Sequence, residues 1–118
     1  TGGSASNRIS VADSLFEKQG CGINGKGGAY MVRDSSFVGH TTGGICVVSG
    51  TMDIQHSEFF NNLNGVTSAG TTRIGRSLIV GNTTGLNRTA GTFNSSGDNV
   101  IRGNGANTSG TIGAVALK

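Results

Sequence analysis

The sequence predicts an all-β fold, a parallel β-helix of about five coils of about 21 residues, three short strands to each coil. Three observations predict it. First, one phrase is echoed along the chain: Val11-Ala12-Asp13-Ser14-Leu15-Phe16, Val32-Arg33-Asp34-Ser35-Ser36-Phe37, Ile54-Gln55-His56-Ser57-Glu58-Phe59, Ile74-Gly75-Arg76-Ser77-Leu78-Ile79 and the degenerate Ser96-Gly97-Asp98-Asn99-Val100-Ile101. Its anchors, Ser14, Ser35, Ser57, Ser77 and Asn99, are spaced 21, 22, 20 and 22 residues apart, and a fixed period in this range marks a stacked repeat array. Second, apolar residues within each repeat alternate in pairs two apart, the period of a strand face. Third, polar and glycine columns keep the same period between those pairs.

The strands follow in order from the pairs. In the second coil Tyr30 and Val32 share one inward face, Ser35 and Phe37 a second, and Ile45 and Val47 a third. The third coil offers Met52 and Ile54, Ser57 and Phe59, then Val66 and Ser68; the fourth offers Thr72 and Ile74, Ser77 and Ile79, then Leu86. Ile112 to Leu117 would begin a sixth coil. No segment carries the run of i, i+3, i+4 apolar positions that a helix in each repeat requires. A single coil cannot bury its own apolar residues; stacking buries them, with equivalent positions about 4.8 Å apart.

The corners form columns of their own. Three residues after each Phe or Ile stands Gln19, His40, Asn62, Asn82 or Asn104. Asn accepts the left-handed conformation of a sharp corner and can stack into a hydrogen-bonded ladder. Gly22, Gly44, Gly65 and Gly85 precede Ile23, Ile45, Val66 and Leu86. A last corner is marked by Gly28-Ala29, Gly50-Thr51, Gly70-Thr71, Gly91-Thr92 and Gly110-Thr111, where positive φ costs Gly little.

Composition narrows the classes further. The 118 residues make one domain, 1–118. Its 22 glycines lack a Gly-X-Y period, which excludes collagen. Only 13% of residues are charged and Val, Ile, Leu and Phe are regularly placed, which argues against disorder. The net charge of +3 is carried by dispersed arginines rather than a basic face, so nucleic acid is not an expected partner. No apolar run is long enough to span a membrane. The chain opens at Thr1, mid-pattern, and reads as a piece of a longer chain. Cys21 and Cys46 stand three residues out of register on neighbouring strands, about 10 Å apart at strand rise, so free thiols are expected.

Segments such as Asp34-Ser35-Ser36-Phe37-Val38-Gly39-His40, Ser77-Leu78-Ile79-Val80-Gly81-Asn82-Thr83-Thr84-Gly85-Leu86 and Asp98-Asn99-Val100-Ile101-Arg102-Gly103-Asn104-Gly105 resemble coils of the pectin-lyase-like superfamily. The resemblance runs from about Arg8 onward. It implies a right-handed, single-stranded parallel β-helix, a carbohydrate ligand, a bacterial or phage-like source and an extracellular or cell-surface location. That superfamily holds lyases, esterases and hydrolases acting on polysaccharide beside surface repeat proteins without assigned activity, and fold does not imply function.

The residues just before the anchors, Asp13, Asp34, His56, Arg76 and Asp98, should line one edge of the stack. Asp13, Asp34, His56 and Arg76 are the catalytic candidates: paired carboxylates for acid–base work, with a base and a charge stabiliser beyond them. Asp13 and Asp34 could hold Ca²⁺, though no metal set can be quoted. Arg33, Gln55 and Glu58 are the binding candidates beside that line. Against catalysis, Asp is a common turn residue, and neither the three-carboxylate cluster of a lyase nor the paired Asp motifs of a polygalacturonase is present. The expectation is a non-catalytic structural or recognition module that takes polysaccharide or associates with itself through its open ends. The alternative is a fragment of a carbohydrate-active enzyme.

Overall fold

The computed structural model describes residues 8–96, 98–110 and 112–115. Sixteen strands and no helix are found among them, and all strands pair in parallel into three sheets. The first sheet orders β1 (Arg8–Ala12), β4 (Ala29–Arg33), β7 (Thr51–Gln55), β10 (Thr71–Gly75), β13 (Thr92–Ser96) and β16 (Gly113–Val115). The second orders β2 (Leu15–Glu17), β5 (Ser36–Val38), β8 (Glu58–Phe60), β11 (Leu78–Val80) and β14 (Val100–Arg102). The third orders β3 (Cys21–Gly25), β6 (Gly43–Val47), β9 (Asn64–Ser68), β12 (Thr84–Arg88) and β15 (Ala106–Ser109). Each sheet takes every third strand, so the chain is a parallel β-solenoid of about five coils. The expected sixth coil is begun by β16; Leu117 lies outside the described residues.

Like stacks on like because each rung is in register with the next. Tyr30 pairs with Met52, Val32 with Ile54, Phe37 with Phe59, and Ile45 with Val66. All the inward pairs of the second and third coils are buried, as are Thr72, Ile74, Ser77, Ile79 and Leu86. Phe16, Phe37 and Phe59 stack with ring centroids 4.9 Å apart and planes within 3° and 6° of parallel. Isolated rings prefer an offset or an edge contact; here the rung spacing sets the geometry.

Two polar ladders run through the corners. In the first, the N–H of Ser14, Ser35 and Ser57 donates to the hydroxyl of Ser35, Ser57 and Ser77, at 3.2–3.4 Å. In the second, the N–H of His40, Asn62 and Asn82 donates to Oδ1 of Asn62, Asn82 and Asn104, at 2.8–2.9 Å. His40 occupies an Asn position without breaking this ladder. Its Nδ1 lies 3.2 Å from the Gln19 N–H and its Nε2 3.0 Å from the Phe16 carbonyl. Among the described residues every buried side-chain nitrogen and oxygen has a partner. The left-handed residue at this corner is not the Asn, as the sequence suggests, but its predecessor: Lys18, Gly39, Asn61, Gly81 and Gly103 carry the positive φ.

The cysteines overturn the expectation of free thiols. Cys21 and Cys46 form a disulfide with Cα atoms 5.9 Å apart. The register offset is real, since Cys21 pairs with Gly43 and Asn24 with Cys46. The straight-strand distance is what fails. The ladder passes over Gly22 and Gly44, where a Cβ would meet the Gly44 carbonyl at 2.6 Å and the Gly65 carbonyl at 2.8 Å. Strands of the third sheet fold at this glycine column, which brings the outward positions on its two sides together. Asn64 and Asn87 meet on the same diagonal two sheet positions further on, Nδ2 of Asn87 donating to Oδ1 of Asn64 at 3.4 Å.

Candidate functional site

The candidate column forms the corner between the first and second sheets. Asp13, Asp34, His56 and Arg76 directly follow β1, β4, β7 and β10 and take φ values of 52°, 51°, 51° and 46°. The chain must turn here within two residues, and a left-handed residue does so. Asp and His tolerate that conformation better than most side chains; Arg does not share the preference. Asp is therefore explained by the corner, and Arg76 is not. The following serines fix the corner, because the hydroxyls of Ser14, Ser35, Ser57 and Ser77 donate to the carbonyls of Ala12, Arg33, Gln55 and Gly75 at 2.8–3.0 Å.

The structure brings three of the four catalytic candidates together. His56 Nδ1 lies 2.6 Å from Asp34 Oδ1, with the side chains 74% and 43% exposed. Arg76 is on the next rung, and its main-chain N–H donates to Oδ1 of Asp98 at 3.0 Å. Asp34, His56 and Arg76 border two open hollows. One, of about 470 Å³, runs toward the second sheet past Ser36, Glu58, Leu78, Asp98 and Val100. The other, of about 420 Å³, lies toward the first sheet beside Arg33 and Gln55. The column is thus a ridge with a hollow on either side. Asp13 borders neither hollow. The binding candidates are separated by the same ridge, Arg33 and Gln55 on one side and Glu58 on the other, where Ser36 Oγ donates to Glu58 Oε1 at 3.1 Å.

The polar groups of this corner are largely engaged with one another and with the main chain. Ser35, Ser57 and Ser77 line the larger hollow but are 3%, 1% and 3% exposed, and their hydroxyls are committed to the corner. A nucleophile needs a base within reach of its proton; here those protons go to main-chain carbonyls. The His56 and Asp34 side chains lie on an open corner rather than in an enclosed cavity. Ca²⁺ takes six to eight oxygen ligands. Asp34 is engaged by His56, the next position is a nitrogen donor, and among the described residues no three His, Cys, Asp or Glu side chains gather into a metal set. The donors on this corner do not fit a calcium cage.

Ser36, Leu78, Asp98 and Val100 share the larger hollow and stand outside the sequence-derived candidate set. The period itself was the signal for them, since whatever stands just before or just after an anchor shares this edge with its neighbours. Among the described residues, no helix is long and apolar enough to cross a membrane. No family model, curated protein or solved structure matches the chain.

Proposed function

We propose that this chain is a non-catalytic recognition module of the pectin-lyase-like kind, which lays a polysaccharide along the stack against the Asp34–His56–Arg76 ridge. One observation carries the reading. Exposed hydrogen-bonding side chains recur along the ridge at the rung spacing of about 4.8 Å, while the hydroxyls beneath them are spent on the fold. A ligand of repeating polar units matches such a line, and an open hollow admits a chain that enters and leaves at both ends. The test is titration with pectate, alginate and neutral glycans, followed by calorimetry. The reading expects binding to at least one of them, weakened about tenfold or more by Asp34→Ala or Arg76→Gly, a loss of about 1.4 kcal/mol. Equal affinity in wild type and both variants removes the ridge from recognition, and no binding to any of these glycans removes the reading.

The Asp34–His56 contact at 2.6 Å favours a second reading, a fragment of a carbohydrate-active enzyme in which this pair moves a proton. Turnover would show as new unsaturated or reducing ends in acidic glycans, lost in Asp34→Ala. Self-association through the ends of the stack is the second partner we propose. Ile9, Val11, Phe16 and Ile23 toward one end, and Ile101 and Ile112 toward the other, are only partly buried. Light scattering that shows no growth with concentration counts against it.

A further inference from the structure

The outer face of the second sheet carries two columns, because each of its strands presents its first and third residues outward. Register defines them. One column is Leu15, Ser36, Glu58, Leu78 and Val100. The other is Glu17, Val38, Phe60, Val80 and Arg102. In the second column three half-buried apolar side chains are flanked by an exposed acid on the first rung and an exposed base on the last. The order acid, Val, Phe, Val, base reads the same from either end, except that the charge changes sign.

We propose that this face is a self-association surface on which a second copy of the chain docks antiparallel, about a two-fold axis passing through the Phe60 rung. A two-fold interface presents one patch to itself, so residue i meets residue j and j meets i. Reversing the rung order places Phe60 over Phe60, Val38 over Val80, and Glu17 over Arg102, the last two contacts each made twice. In the other column Leu15, 63% exposed, comes over Val100, 44% exposed. The parallel alternative lays each column over the other at the same rung, which sets Glu17 over Leu15 and Arg102 over Val100, leaving both charges without a partner. The charge pattern therefore selects the antiparallel arrangement.

Glu58 is the discordant residue, since the axis brings it near its own copy. It stands in the column that borders the hollow, is exposed, and accepts from Ser36. Its place is at the wet rim while the Val38–Phe60–Val80 column forms the centre. The face is small. Five strands about 4.8 Å apart and three residues wide cover about 200 Å², far below the roughly 800 Å² that each partner contributes to a stable complex. Association is thus weak and needs high protein concentration.

Sedimentation of the purified chain from micromolar to millimolar concentration tests the proposal. A monomer–dimer equilibrium is expected. Glu17→Arg should weaken it about tenfold or more by setting like charges opposite each other twice, and the double variant Glu17→Arg/Arg102→Glu should restore it. Glu58→Gln should tighten it, and Phe60→Lys should abolish it, with circular dichroism confirming the fold. The charge variants lie on exposed positions outside the core, so the test stands even if Phe60→Lys fails to fold. A chain monomeric at millimolar concentration overturns the proposal, and the occupant is then another segment or another protein. Growth to open-ended oligomers that ignores Glu17→Arg overturns it equally and assigns association to the ends of the stack.

Discussion

The Oδ1 of Asn82 accepts two hydrogen bonds from Asn62, one from its main-chain N–H and one from its side-chain Nδ2, both at 2.9 Å. Asn82 Nδ2 in turn donates to the Phe59 carbonyl at 3.0 Å. Both asparagines are buried. Asn82→Leu would leave the buried Asn62 main-chain N–H unpaired, at a cost of about 1–3 kcal/mol, and would take one of the two bonds of Asn62 Nδ2, which keeps the Phe37 carbonyl. The expected loss is therefore about 2 kcal/mol or more, read as a lower denaturant midpoint with an unchanged slope.

His40 does the work of an asparagine by another route. Asn62 and Asn82 each accept with Oδ1 and donate Nδ2 to the carbonyls of Phe37 and Phe59. The imbalance in His40 is only one of shape, because its two ring nitrogens meet the equivalent groups of Gln19 and Phe16. His40→Asn should alter stability by about 1 kcal/mol or less, whereas His40→Leu should cost about 2 kcal/mol or more. Equal losses in the two variants would remove the ladder account of this residue.

The period made the solenoid legible. Once Ser14, Ser35, Ser57 and Ser77 are aligned, strand rise and the two-residue alternation dictate which side chains enter the core, and Tyr30, Phe37, Ile45, Met52 and Ile74 are all inside. Positions beside the anchors were legible as a line for the same reason. What the period does not convey is the direction of the chain within a strand. The fold at Gly22 and Gly44 moves Cys46 over Cys21 and invalidates a distance counted in residues. The diagonal from position 64 to 87 shows the same displacement, and it is visible only once the glycine column is read as a bend inside a strand rather than as a corner between strands. Nor does the period convey which side of a corner a residue serves, so Arg33 and Glu58 read as neighbours although the ridge divides them.

The Cys21–Cys46 bond joins the first coil to the second across 25 residues of sequence. Closing a loop of that length restricts the unfolded chain by about 3–4 kcal/mol in the chain-entropy account. Reduction, or Cys21→Ser with Cys46→Ser, should lower the unfolding free energy by that amount. Hydrogen exchange should locate the change, with protection falling first in β1, β2 and β3, because among the described residues these are edge strands of the three sheets. Uniform loss across all coils would instead indicate a stack that opens as a single unit.

His56 separates the demands of the corner from those of the ridge. Its φ of 51° is a conformation that Gly adopts without penalty and a β-branched residue adopts least well. The exposed contact with Asp34 contributes about 1 kcal/mol or less. His56→Gly should therefore leave the melting temperature unchanged or slightly raised, while His56→Val should lose about 1–3 kcal/mol from backbone strain. The two variants remove the same imidazole, so a glycan that recognises it should be bound equally poorly by both once each is folded. If His56→Gly keeps full affinity, the imidazole is there for the corner alone, and recognition rests on Asp34 and Arg76.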